Sequence, residues 1–205
     1  MVLPAAITYR KASAVNVLKG KGENEMNRTS IFQRLARYYP IWLELVLIAF
    51  VIFSFWYPAA NYAALPDRIP THFGFSGLPD AWGTKSLANY YLSSLASAFT
   101  YLSMTGFVLW AAAVSEPKKL INLSQKQLEE MSPERAEGIR RVVIRGIFVL
   151  KGATVGMLAY IPYRSILVAM GEAKGLGWPV NALLGVIMFA AIYMTVRINR
   201  LCRIR

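Results

Sequence analysis

Four stretches of this chain are apolar on every side rather than along one stripe. Residues 41–57 read IWLELVLIAFVIFSFWY, and residues 87–114 read LANYYLSSLASAFTYLSMTGFVLWAAAV with no charged side chain between Ser86 and Ser115. Two further runs follow before the C-terminus. A helix needs about 20 apolar residues to cross a bilayer core, and only helices or closed barrels satisfy their backbone groups there. The pattern therefore predicts an all-α integral membrane bundle of four transmembrane helices, over about 41–57, 89–113, 146–168 and 178–196. Aromatic side chains sit near the ends of each: Trp42 with Trp56 and Tyr57, Tyr90 and Tyr91 with Trp110, Tyr160 and Tyr163, Trp178 with Tyr193. Their amphipathic rings favour the headgroup boundary.

The polar segments between these runs differ from one another. In residues 115–145, Ser124 with Gln127 forms a capping box, and Ser132-Pro133-Glu134 is a second helix start. A short helix over 124–131 is expected, with 133–145 leading into the third span and Glu137 pairing with Arg140 or Arg141. Residues 58–86 read PAANYAALPDRIPTHFGFSGLPDAWGTKS, and proline at 58, 66, 70 and 79 with glycine at 74, 77 and 83 predicts an ordered loop built from fixed turns. Within it, Ile69 to Phe75 alternates, with Ile69, Thr71, Phe73 and Phe75 on one face. Asp80-Ala81-Trp82-Gly83 reads as a turn that holds Trp82 at the interface. Asp67 with Arg68, and Asp80 with Lys85, read as turn-capping and surface pairs.

Charge sets the orientation. Of 23 Lys and Arg residues, the segment before the first span carries seven, the 115–145 loop seven and the tail Arg197, Arg200, Arg203 and Arg205. Arg68, Lys85, Arg164 and Lys174 fall on the other side. By the positive-inside rule both termini are cytoplasmic, and loops 58–86 and 169–177 face outward. The domain reading is a basic cytoplasmic tail 1–40, a membrane domain 41–196 and a basic tail 197–205. Residues 1–25 lack the apolar core of a signal peptide; they read either as a disordered tail or as an upstream mis-start before Met26. A net charge of +12 could point to nucleic acid. Its placement beside the spans points instead to the lipid bilayer and to anionic lipids at the cytoplasmic face. Cys202 is the single cysteine, which excludes an internal disulfide. It reads as a reduced thiol, with S-acylation as the alternative.

The loop carries a family likeness. Leu65-Pro66, Ile69-Pro70, His72-Phe73, Gly77, Pro79-Asp80, Trp82-Gly83 and Lys85, placed between a first and a second span, resemble the signature of a bacterial membrane domain of unknown function. That domain also forms the N-terminal part of SdpI-type immunity proteins. The resemblance covers roughly residues 40–115. It implies an integral protein of the bacterial inner membrane and, in the SdpI-type members, protection against a secreted peptide toxin coupled to sequestration of a repressor. The Asn/Gly/Arg-Thr-Pro-Trp type motif of the second half of those proteins is absent from residues 116–205.

Two sets of residues are candidates for function. His72, Phe73, Asp80, Trp82 and Lys85 form an outer-loop set for recognising a peptide or membrane-protein partner. His72, the single histidine, reads as a structural hydrogen-bonding group, a pH-responsive group, or a metal ligand with the thin set Asp67 and Asp80. Inside the membrane, Lys151 lies within the third span and Glu44 at a compatible depth in the first, so they form either an interhelical pair or a snorkelling lysine and a separate carboxylate. Gly152 and Gly156 have GxxxG spacing, read as a packing face within the bundle or a dimer face. Pro162 should kink or end the third span, with Arg164 reaching the outer headgroups. No phosphate loop, nucleophile elbow or zinc-protease helix is present, so no enzyme activity, cofactor or metal site is expected. The expected function is recognition by the outer loop. Alternatives are a small transporter or pore subunit using Glu44 and Lys151, with Ser97, Thr100, Ser103, Thr105 and Thr154 as the further polar groups of the midplane, or a structural subunit of a membrane complex.

Overall fold

The computed structural model describes residues 30–203. The expectations for residues 1–25, for Met26 and for Arg205 lie outside the described residues. Ser30 and Gln33 close a capping box over a short helix, α1 (Ile31–Leu35). The first long helix, α2 (Leu43–Asn61), continues into a 3-10 turn over Tyr62–Ala64. Two strands follow, β1 (Arg68–Phe73) and β2 (Pro79–Thr84), so the fold is mostly helical rather than all-α. Ser86 caps α3 (Leu87–Ala113) by accepting from the Asn89 amide. Beyond a 3-10 turn over Pro117–Leu120 come α4 (Gln125–Glu130), with the Ser124–Gln127 capping box in place, α5 (Pro133–Ala169) and α6 (Trp178–Cys202).

Four of these are long and apolar enough to cross a membrane: α2 with its 3-10 turn, α3, α5 and α6. At 37 residues α5 is ~55 Å long, well beyond the ~30 Å hydrocarbon core. Its first turns, from Pro133 to about Arg145, therefore extend past the apolar zone, as the charge pattern requires. α5 is also the spine of the bundle, packing against α2, α3, α6 and β1. α6 packs chiefly against α5 and buries only Ala190, leaving an apolar surface for lipid. The helix α6 continues through Arg197 and Arg200 to Cys202, so residues assigned to a tail are its last turns.

Pro162 lies inside α5 without ending it. Pro58, likewise inside α2, explains a polar contact in the apolar core. A proline has no N–H to give the carbonyl four residues earlier, here that of Ser54. Ser94 of α3 donates its hydroxyl to the Ser54 carbonyl instead. At the helix end, Tyr62 N–H bonds Ala59 rather than Pro58, and Tyr90 donates its hydroxyl to the Pro58 carbonyl, 2.9 Å away. Two backbone acceptors released at the end of α2 are thus taken up by α3. An unpaired buried polar group would cost about 1–3 kcal/mol, so these bonds tie the two helices together. The Gly152/Gly156 spacing does not mark a tight crossing: the nearest neighbour of a Cβ at Gly152 would be Leu47 at 3.8 Å, and Gly156 has nothing within 4 Å.

Candidate functional site

The strands pair antiparallel, with Arg68 opposite Thr84, Ile69 opposite Gly83, Pro70 opposite Trp82, His72 opposite Ala81 and Phe73 opposite Pro79. The register skips Thr71 on one strand and Asp80 on the other. Each irregularity resets the alternation of faces. Beyond Pro70 the alternation is thus reset, and Thr71 and His72 are both exposed; Ile69 and Pro70 are both buried, and Phe75 projects fully into the surroundings. The single apolar face expected for Ile69–Phe75 therefore does not form. Asp80–Gly83 is strand rather than turn, and the turn lies at Gly74–Leu78, where Gly74 N–H bonds the Leu78 carbonyl. Gly77 sits there at φ 75°, in the left-handed region that glycine enters without steric penalty.

The hairpin is anchored at both ends. At its base, Lys85 N–H bonds the Asp67 carbonyl, and the Lys85 ammonium donates to the Leu65 carbonyl at 3.0 Å while lying 4.7 Å from the Tyr62 ring centre. Lys85 therefore does not pair with Asp80. At its tip, the Gly77 carbonyl accepts from Leu176 N–H in the α5–α6 connection. That connection is itself held by α5: Arg164 donates to the Gly175 carbonyl, and Tyr160 to the Leu176 carbonyl. Arg164 thus braces the connection that holds the hairpin tip. Gly175 is required here because a Cβ would come within 2.3 Å of the Gly77 oxygen.

This bracing leaves one face of the hairpin open. His72 Nδ1 and Asp80 Oδ1 are hydrogen-bonded at 2.5 Å with both side chains more than half exposed. Trp82 is 41% exposed, Phe75 projects at the turn, and Phe73 is half-buried. Of the five outer-loop candidates, His72 and Asp80 meet on this open surface, Trp82 is exposed, Phe73 is half-buried, and Lys85 belongs to the base. Among the described residues no three His, Cys, Asp or Glu side chains gather to hold a metal ion.

The second candidate set lies near the other end of the bundle. Lys151 is fully buried, and its ammonium donates to both Glu44 carboxylate oxygens at 2.6 and 2.8 Å and to Thr105 Oγ1 at 3.1 Å. All three ammonium donors are therefore used. The rings of Tyr101 and Phe148 lie 5.0 and 5.4 Å from the nitrogen, where their faces favour a cation. Glu44 also accepts from the Tyr39 hydroxyl at 2.8 Å, and Tyr39 stacks on Phe148 with centroids 4.1 Å apart. Burial holds the Tyr39 hydroxyl well above the usual tyrosine range, and the bond to the Glu44 carboxylate pushes it the same way. Tyr39 is thus a neutral donor. Sequence reasoning missed Tyr39 and Tyr101, although Tyr101 lies four residues before Thr105 on one face of α3, mid-span rather than in an aromatic belt.

A braced β-hairpin on four helices long and apolar enough to cross a membrane defines a multi-pass membrane protein. A family model described as a domain of unknown function (DUF1648) matches residues 49–92, which comprise most of α2, the hairpin and the start of α3. That segment contains the open face of the hairpin, Pro58 and Tyr90, and excludes Glu44 and Lys151. No curated protein and no solved structure matches the chain.

Proposed function

We propose that this is a non-enzymatic protein of the bacterial inner membrane, with both termini cytoplasmic, whose outward hairpin recognises a peptide or protein partner. The observation that carries this reading is the one-sided bracing of the hairpin. One face is fixed to α5 and the α5–α6 connection, while His72, Asp80, Trp82 and Phe75 are held outward. A rigid display of aromatic and charged groups binds without a large ordering cost. The excess of Lys and Arg at the opposite end supports the outward orientation of the hairpin. The resemblance to SdpI-type proteins makes a secreted peptide toxin the first partner to test.

A deletion strain complemented with wild type, His72→Ala or Trp82→Ala, and challenged with such a peptide, tests the proposal. Hairpin variants that reach the membrane at normal level and fail to protect would support recognition. Full protection by both would remove it. A second reading, transport, rests on the buried Lys151–Glu44–Thr105 cluster, since charged groups inside spans commonly mark solute or ion routes. Solute flux into vesicles that Glu44→Gln abolishes would favour it.

A further inference from the structure

A groove of about 450 Å³ lies between α5 and α6 at the end of the bundle opposite the hairpin. Its lining is ordered by depth. Along α5 the side chains at helical spacing are Arg141, Arg145 and Val149, and along the antiparallel α6 they are Arg197, Tyr193 and Phe189. The two helices thus present cations at the mouth and apolar groups further into the membrane zone, with an amphipathic tyrosine between. Residues four apart stack on one helix face, so this gradient follows directly from the sequence.

Among the described residues, no Asp or Glu forms an ion pair with Arg141, Arg145 or Arg197, and Glu137 is occupied by Arg140 and the Tyr38 hydroxyl. Arg145 donates its Nε to the Tyr38 carbonyl at 2.8 Å, which fixes the guanidinium while leaving its outer nitrogens available. Three guanidinium groups lining one groove are matched to a phosphate oxyanion. The apolar wall below them, where Phe189 is 72% and Val149 44% exposed, is matched to a hydrocarbon chain.

We propose that this groove is a binding site for one anionic phospholipid, its phosphate held by Arg141, Arg145 and Arg197 and one acyl chain lying along Val149 and Phe189. The site stands apart from the hairpin, and its occupancy does not depend on what the hairpin recognises.

Native mass spectrometry of the full chain, titrated with phosphatidylglycerol or phosphatidylcholine, tests the assignment. Wild type should retain one phosphatidylglycerol in preference to phosphatidylcholine. Arg141→Gln or Arg197→Gln should each weaken retention about fivefold, and the two together on the order of twentyfold, whereas Lys126→Gln, an exposed charge on α4, should have no effect. Arg145 is left intact because of its bond to Tyr38. Phe189→Ala should weaken a long-chain lipid more than a short-chain one. Equal retention of both lipids, or a double variant that binds as wild type does, would overturn the site. Displacement of the lipid by an equal concentration of glycerol phosphate would overturn the lipid assignment in favour of a soluble phosphate.

Discussion

The hairpin and the buried cluster at Lys151 each contain one acid–base contact, yet the two contacts do opposite things. His72 and Asp80 meet on an open surface, with 68% and 52% of their side chains exposed. Exposed pairs contribute about 0–1 kcal/mol, so the hairpin does not depend on this one for its shape. Its shape comes from backbone bonds at Gly77 and Lys85 and from the braces at Tyr160 and Arg164. At Lys151 the situation is reversed. The side chains are 0% and 14% exposed, the backbone around them is ordinary helix, and the charges themselves connect α2 to α5 and, through Thr105, to α3. Where a charged contact is dispensable to the fold it is free to serve recognition; where it joins three helices it is tied to stability.

The largest effect should come from splitting the buried pair. Lys151→Met leaves the Glu44 carboxylate without its cation, and removing one partner of a buried pair costs about 3–5 kcal/mol. Combining it with Glu44→Gln should recover more than half of the loss in detergent unfolding. Strictly additive losses would show that the two groups do not act as a unit. A smaller effect is expected at the hairpin tip. Gly175→Ala should push the Gly77 carbonyl away and break its bond to Leu176, for about 1–3 kcal/mol, with faster amide exchange at Leu176. Gly185→Ala, inside α6 with nothing within 4 Å, is its control and should cause no loss of stability. The smallest effect on stability belongs to His72→Ala, which should lie within about 1 kcal/mol of wild type by the same unfolding assay. A large loss there would place His72 in the scaffold and erase the contrast between the two regions.

The four helices were legible because a bilayer imposes one requirement, about 20 apolar residues each, and the chain meets it four times. The Lys151–Glu44 contact was legible as one of two alternatives, since a charge inside a span needs a partner or a route to the interface. The hairpin was not legible in detail. Its proline and glycine content marked turns correctly in kind, but two register irregularities beyond Pro70 reset the alternation there, and no periodicity reveals them. Lys85 was misassigned for a related reason: Asp80 is near in sequence, whereas the acceptor it uses, the Leu65 carbonyl, belongs to the backbone and carries no sequence signal. The Ser94–Ser54 contact had a readable cause in Pro58, four residues after Ser54. What remained unreadable was which neighbouring helix would supply the hydroxyl.

Glu44 and Lys151 are separated by 107 residues, a distance with consequences during synthesis. At about 5–20 residues per second, α2 is made roughly 5–20 s before its counter-charge leaves the ribosome. Until α5 enters the membrane, the nascent chain carries Glu44 without the cation that pairs with it in the finished fold. Arrival of Lys151 then joins the first long helix to the third in one step. A chain stalled before α5 lacks that joint, and its first long helix is held to the rest only through α3.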